Sequence, residues 1–341
     1  MFAITPPSVS CECLQFIGPL DFMTDTISPG RSRSDEFCVT ALSTMRPTVT
    51  ILLLSADLIR SAFGPALISS RILANARRTS PPSMAVTSPR RVAVVGAGIG
   101  GLALARALGE LDTGVEEIVV FDRRAELKPG TGGGIQINGG AAVLARLGLG
   151  EQMKRAALPV RRILSRKSGG FELLDIDVAS LVSAEPALVA ADGTPQAFSI
   201  MRDALQRMLV DALPASASLQ LGRQLESMSE DASGVELVFK DGTAERFDLV
   251  VGADGLSSRV RQHVEASHAD GRAGASPPMY SGIRVQFGVV PGGGSRPRGS
   301  EGEFHQWFGE GVYALTGSYG TGSADGTTSE MLAVVFAGDA A

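Results

Sequence analysis

Gly96, Gly98 and Gly101, in the run RRVAVVGAGIGGLALARALGEL, stand at the spacing G-x-G-x-x-G, and Asp122 follows about 20 residues later. These residue types serve backbone chemistry rather than proton transfer. Gly96 permits a tight turn, Gly98 lets the backbone approach a pyrophosphate, and Gly101 lets a helix pack closely on a strand. The helix N-terminus then faces the anion, and a carboxylate at Asp122 is placed to accept hydrogen bonds from ribose hydroxyls. A glycine motif alone is weak, since a structural turn beside a solvated Asp reads the same way. Strand, glycines, helix, strand and acid in order make dinucleotide binding the better reading. Arg123 and Arg124 belong on the surface, with either within reach of the adenosine end.

The elements that must position these residues are legible around them. Val92 to Val95 form a short apolar run suited to a buried parallel strand, and Leu102, Ala105, Ala107 and Leu108 carry a helical period. The second strand, IVVFDRR, delivers Asp122. The design recurs in FDLVVGADGLSSRVRQHV, where a strand over Leu249 to Val251 leads through Asp254 and Gly255 to a helix start with Ser257 and Ser258 as cap candidates. Taken alone, that stretch reads as a plain strand-to-helix turn. MLAVVFAGDAA is a third instance, with Gly338 and Asp339 at the carboxyl end of its strand. Ligands of open α/β sheets sit at such strand ends, so three of them are expected to meet around one long cofactor.

Composition narrows the remaining classes. With 44% hydrophobic and 20% charged residues in 341, the chain can bury a core, and 41 glycines gather in clusters rather than in a repeat. A net charge of -5, one Trp and three Tyr supply no basic face with interleaved aromatics, which argues against a nucleic-acid partner. Cys11, Cys13 and Cys38, with His263, His268 and His305, lack metal-ligand spacing, so no metal site, disulfide framework or Cys-His nucleophile is expected. The runs of three glycines at 132–134 and 292–294 read as flexible loops. Stretches around FELLDIDV, SGIRVQFGVV and VYALTGSYG read as strands of a further sheet. On these, Phe304, Trp307, Phe308 and Tyr313 are either sheet core or the lining of an apolar pocket. His305 and Arg284 read as surface or sheet residues rather than ligands. LQLGRQLESM and VELVFKDGTAERF, with an Asp241-Gly242 hairpin, belong with the cofactor domain.

The three motifs in this order resemble the FAD-dependent aromatic hydroxylases, the single-component flavin monooxygenases of the para-hydroxybenzoate hydroxylase fold, to which zeaxanthin epoxidase is related. That family carries GxGxxG, then D-G-x-x-S-x-x-R, then G-D. Here Asp254, Gly255, Ser258 and Arg261 match the second motif. The resemblance covers about 90–341 and implies a Rossmann-like α/β FAD-binding domain with a parallel sheet, plus a β-sheet substrate domain. It places Arg202, from IMRDALQRMLVDAL, with Asp254 and Arg261 around the FAD phosphates, has the D-G-x-x-S-x-x-R stretch serve the transient nicotinamide cofactor as well, and puts Gly338 and Asp339 on the ribityl chain; Arg123, beside Asp122, joins the cofactor-binding set at the adenosine end. TGGGIQINGGAAVLARLGL is similar to the segment after the family's second strand.

The activity implied is NAD(P)H-dependent reduction of FAD, reaction with O2 to a flavin C4a-hydroperoxide, and hydroxylation or epoxidation of an aromatic or apolar small molecule. No protein catalytic residue is assigned, because the cofactor carries the hard step. The rivals are an FAD-dependent dehydrogenase or reductase of the same fold, and an inactive truncated flavin-binding fragment. In the family the G-D is followed by further active-site sequence, so the C-terminal part of the substrate domain is expected to be missing here.

The expected organisation is a leader at 1–88, a cofactor domain from 89–160, 201–265 and 331–341, and a partial substrate domain from 161–200 and 266–330. The leader stretch TVTILLLSADLIRSAFGPALI is interrupted by Asp57, Arg60 and Pro65, so no transmembrane segment is expected. From Phe37 to Ser88 the only acid is Asp57, against Arg46, Arg60, Arg71, Arg77 and Arg78. That composition suits a plastid or mitochondrial transit peptide, whereas translation from Met84 implies a cytoplasmic protein.

Overall fold

Short apolar runs without alternation demand burial on both faces. The computed structural model, which describes residues 89–128, 130, 132–267, 278–292, 300–323 and 325–338, meets that demand with four parallel strands. They are β1 (Arg91–Val95), β2 (Glu117–Asp122), β8 (Ala217–Leu221) and β12 (Leu249–Gly252), in the order β12-β1-β2-β8. Residues 1–88, where the leader is read, lie outside the described residues.

The two faces of this sheet are covered differently. Val92, Val94, Ile118 and Val120 pack with Leu102 and Ala105 of helix α1 (Ile99–Glu110) and with Leu205 and Leu209 of a later helix, Arg202–Asp211. Ala93, Val95, Val119 and Phe121 instead meet a three-stranded antiparallel sheet of β9 (Leu225–Asp231), β10 (Gly234–Phe239) and β11 (Ala244–Phe247). The ring of Phe121 lies 4.7 Å from Phe239 and 5.7 Å from Phe247. Each such buried ring contributes about 1.5–3 kcal/mol. Gly242, at a φ of 81°, turns β10 into β11 where the Asp241-Gly242 hairpin is expected.

A nine-stranded sheet forms the second layer. Its main path is β13 (Ile283–Pro291), β16 (Thr328–Ala337), β15 (Val312–Gly320), β14 (Glu303–Phe308), β5 (Arg162–Lys167) and β6 (Glu172–Asp177). Beside this path, β7 (Phe198–Met201) pairs with β15, and β3 (Gly134–Ile137) and β4 (Leu158–Pro159) pair with β7. Short helices α2 (Gly140–Leu144), α3 (Gly150–Ala156) and α4 (Val178–Ser183) fill the connections, α5 is the Arg202–Asp211 helix, and α6 spans Arg259–Ser267.

Two expectations change here. The run MLAVVFA does not extend the parallel sheet, because β16 pairs antiparallel with both β13 and β15. Its apolar run mimics a strand buried on both faces. Met331, Ala333 and Val335 turn to the core, while Leu332 is 51% exposed. The 132–134 run is also more than a loop, since Gly134 opens β3.

Candidate cofactor site

The site grows from the end of β1. Val95 is paired with Phe121 on one side and Gly252 on the other, so the chain leaves β1 where neighbouring strands are reached in opposite directions. Such a switch point leaves a crevice at the strand ends. The Gly96 amide donates to Phe121 O at 2.7 Å, and the Ala253 amide donates to Val95 O at 2.7 Å. Gly96 holds a φ of +112°, and a Cβ there would lie 2.2 Å from Ala253 O. A Cβ on Gly101 would lie 2.0 Å from Gly96 O. Both positions are therefore closed to larger residues by backbone.

Gly98 differs from both. A Cβ on it meets nothing within 4 Å. Gly98 is the N-cap of α1, no side chain caps that helix, and its first turn contains no acid. The unsatisfied amides of a helix start favour an anion, and here they open onto a space that only a residue without a side chain leaves clear. The residues present fit a pyrophosphate-bearing cofactor.

Two buried side chains fix this loop from opposite sides. Asp122 Oδ2 accepts from the Ala97 amide at 2.9 Å, and its Oδ1 accepts from the amide and the Nε of Arg124, each at 2.9 Å. Burial pushes the Asp122 carboxyl up, but the side-chain and backbone hydrogen bonds from Arg124 outweigh it, and the net direction is down. Arg124, read from sequence as a surface residue, is thus the partner of the acid, while Arg123 is exposed. From the other side, Gln206 Nε2 of α5 donates to Ala97 O at 2.5 Å. Sequence reasoning missed Gln206; its position four residues after Arg202, on the same helix face, was the available signal.

Arg202 opens α5 beside the glycine run, with its amide donating to Gly133 O at 3.1 Å. Its side chain passes 3.3 Å from the position of a Cβ on Gly132. The neighbouring Asp203 accepts from the Gly130 amide at 2.7 Å and from Arg207 at 3.0 Å, tying the same loop to the helix.

The D-G-x-x-S-x-x-R segment follows β12 beside the start of the glycine loop, where a Cβ on Gly96 would lie 2.9 Å from the Asp254 amide nitrogen. Asp254 Oδ2 accepts from the amides of Arg259 and Val260, and its Oδ1 accepts from Ser258 Oγ. Ser258 Oγ accepts from the Arg261 amide at 2.9 Å. Asp254 and Ser258 together cap α6, which is the strand-to-helix turn that the segment describes when taken alone. Gly255, at a φ of 79°, makes that turn. Arg261 donates to Leu256 O at 2.7 Å and lies 3.9 Å from Glu265.

The third strand end belongs to the nine-stranded sheet, not to the parallel one. The Gly338 amide donates to Gly282 O at 3.0 Å, beside Arg284, at the end of the large sheet; Asp339 lies outside the described residues.

The aromatic candidates divide by face. Phe304 is buried, edge-on to Tyr319 at 5.4 Å, and belongs to the core. Trp307 stacks on His305 at 5.7 Å, and His305 sits between Arg166 and Glu303. Phe308 stacks on Tyr313 at 5.4 Å and is 38% exposed. By strand register Phe308 and Tyr313 share a face with Phe287 and Met331, which approach Gly133 of the loop beside Arg202. Burial raises the Tyr313 hydroxyl above its ordinary range, so it is a neutral donor at neutral pH.

Residues 90–284 match the family described as FAD binding domain, and the chain belongs to that family. Among curated relatives, 3-amino-4-hydroxybenzoate 2-monooxygenase of Streptomyces cremeus is 36% identical over 203 residues, 59% of this chain and 46% of the relative. The FAD-dependent urate hydroxylase of Klebsiella pneumoniae is 32% identical over 173 residues, 50% of this chain and 42% of the relative. The chain spans about half the length of the curated relatives it matches. Among solved structures, HpxO of Klebsiella pneumoniae complexed with FAD and uric acid superposes with a TM-score of 0.59 at 23% identity, covering 76% of this chain and 59% of that one. That likeness supports the α/β FAD-binding fold. Among the described residues, no helix is long and apolar enough to cross a membrane.

Proposed function

We propose that this chain is the FAD-binding part of an NAD(P)H-dependent monooxygenase acting on a small aromatic molecule. The observation that carries the reading is the open, uncapped backbone cradle at Gly98, bounded by residues that backbone contacts hold in place. In this reading Gly98 and the first amides of α1 bind the pyrophosphate, and Asp122, whose oxygens accept four hydrogen bonds from Ala97 and Arg124, takes the adenosine ribose by exchanging bonds it now accepts from the Arg124 guanidinium. Arg202 supplies positive charge to the phosphates from the adjoining loop. Arg261, from the segment that follows β12, adds a further cation for the phosphates, and Gly338 with Asp339 serves the ribityl chain.

Bound FAD, reduced by NAD(P)H, would supply the activation of O2, one atom of which passes to the substrate while the other leaves as water. The protein's part is to bind, orient and exclude water. Phe308 and Tyr313 present a stacked aromatic pair, with a neutral hydroxyl, on the sheet face that leads to the Gly133 loop. Such a surface suits a planar aromatic substrate. The curated relatives named for a hydroxybenzoate and for urate support that class.

The test is substrate-dependent oxygen uptake in the presence of FAD and NAD(P)H, with labelled O2. Label in the product supports a monooxygenase. Substrate turnover without label favours the dehydrogenase or reductase reading instead.

A further inference from the structure

We propose that Gln206 is a positioning residue that aims the anion-binding amides of the glycine loop; the inference rests on the FAD reading and deepens it. The Ala97 peptide groups are fixed at both ends. The Ala97 amide donates to Asp122 Oδ2 and the Ala97 carbonyl accepts from Gln206 Nε2, so two successive peptide planes, 96–97 and 97–98, each have one anchor. Ala97 is fully buried and Gln206 is 4% exposed, so water does not substitute for either anchor.

A trans peptide is planar, with its C=O and N–H pointing in opposite directions. Drawing the Ala97 carbonyl toward α5 therefore turns the Gly98 amide the other way, toward the space where a Cβ on Gly98 meets nothing within 4 Å. Without that anchor the 97–98 peptide is free to rotate. A rotated peptide presents a carbonyl oxygen, which repels phosphate, in place of an N–H, which binds it.

Gln206 thus acts through the backbone, without touching the cofactor. It is one helical turn beyond Arg202, so α5 delivers a cation to the phosphates and the lock that orients their amide donors from one face.

The test is titration calorimetry of FAD, and separately of ADP, into the full 341-residue chain and its Gln206→Leu and Gln206→Glu variants at pH 8 and pH 5.5, with thermal melts alongside. Gln206→Leu is expected to bind both ligands about tenfold or more weakly at either pH, the equivalent of one lost hydrogen bond. Gln206→Glu is expected to lose more at pH 8, where an ionised carboxylate faces the Ala97 carbonyl. It should recover toward the unsubstituted chain at pH 5.5, because burial raises a carboxyl's pKa and the protonated acid again donates. A purely packing role gives no such recovery, so a pH-independent loss overturns the proposal, as does unchanged affinity in variants that melt normally. If Gln206→Leu does not fold, the acid rescue of Gln206→Glu decides alone. Failure of the unsubstituted chain to bind either ligand overturns the FAD reading itself, and the proposal with it.

Discussion

At the carboxyl ends of β1 and β12, backbone approaches backbone so closely that Gly96 and Gly101 admit no Cβ, and the contacts are amides, carbonyls and one buried carboxylate. In the nine-stranded sheet the close contacts, Gly320 against the backbone of Ala156 excepted, are mostly made by side chains such as Tyr319 and Phe304, with one face packed on α5 and residues such as Leu332 and Val290 on the other left exposed. The first region is shaped before any ligand arrives and tolerates little change. The second tolerates change wherever its face is open, and its aromatic surface can diverge in specificity while the cradle stays the same.

Substitutions that carry one region's rule into the other test this contrast. The largest loss is expected from Gly96→Ala, which combines a φ of +112° with backbone overlap. Urea unfolding should show more than about 3 kcal/mol of lost stability, or no folded protein at all. In the large sheet, Phe304→Ala removes a buried ring from the Tyr319 contact and should cost about 3–4 kcal/mol. Equal tolerance at Gly96 and an exposed sheet position would remove the distinction.

Asp122→Asn keeps the shape but removes the charge facing Arg124, with an expected cost of about 1–3 kcal/mol at pH 7. Asp122's folded pKa lies below its unfolded value. Its contribution is therefore present above the unfolded value of about 3.9 and fades as pH falls through the folded one. The difference between wild type and Asp122→Asn should accordingly shrink below about pH 4 in acid-unfolding curves. A constant difference would show that Asp122 contributes by shape alone. The smallest effect is expected from Phe308→Ala, within about 1 kcal/mol in stability because the ring is exposed, with its consequence confined to aromatic ligand binding.

The same contrast decides what the sequence revealed. The cradle was legible because its rules act over short spans: three glycines, a helix period and an acid at the next strand's end lie within about 30 residues. The Asp241-Gly242 hairpin was legible for the same reason. The role of MLAVVFA was not, because an apolar run reads alike whether it is buried on two faces or, as at Leu332, on one; only its antiparallel partners decide. Gln206 escaped because its partner, Ala97, is chosen by how α5 packs, and Arg124 because a charged residue just after a strand reads as surface whether or not it turns back on the acid two residues before it. The resemblance assigns Asp254 to the phosphates, whereas its carboxylate caps α6, as the stretch taken alone reads.

The most direct measurement is FAD affinity and thermal stability of Gly98→Ala beside Gly101→Ala and the unsubstituted chain. Gly98 has a φ of -74° and open space around it, so an added methyl should leave the melt nearly unchanged while it occupies the pyrophosphate position. The account expects normal melting with FAD binding weakened about tenfold or more in Gly98→Ala, and loss of folding in Gly101→Ala. FAD affinity in Gly98→Ala equal to that of the unsubstituted chain would contradict the claim that this loop is the cofactor cradle.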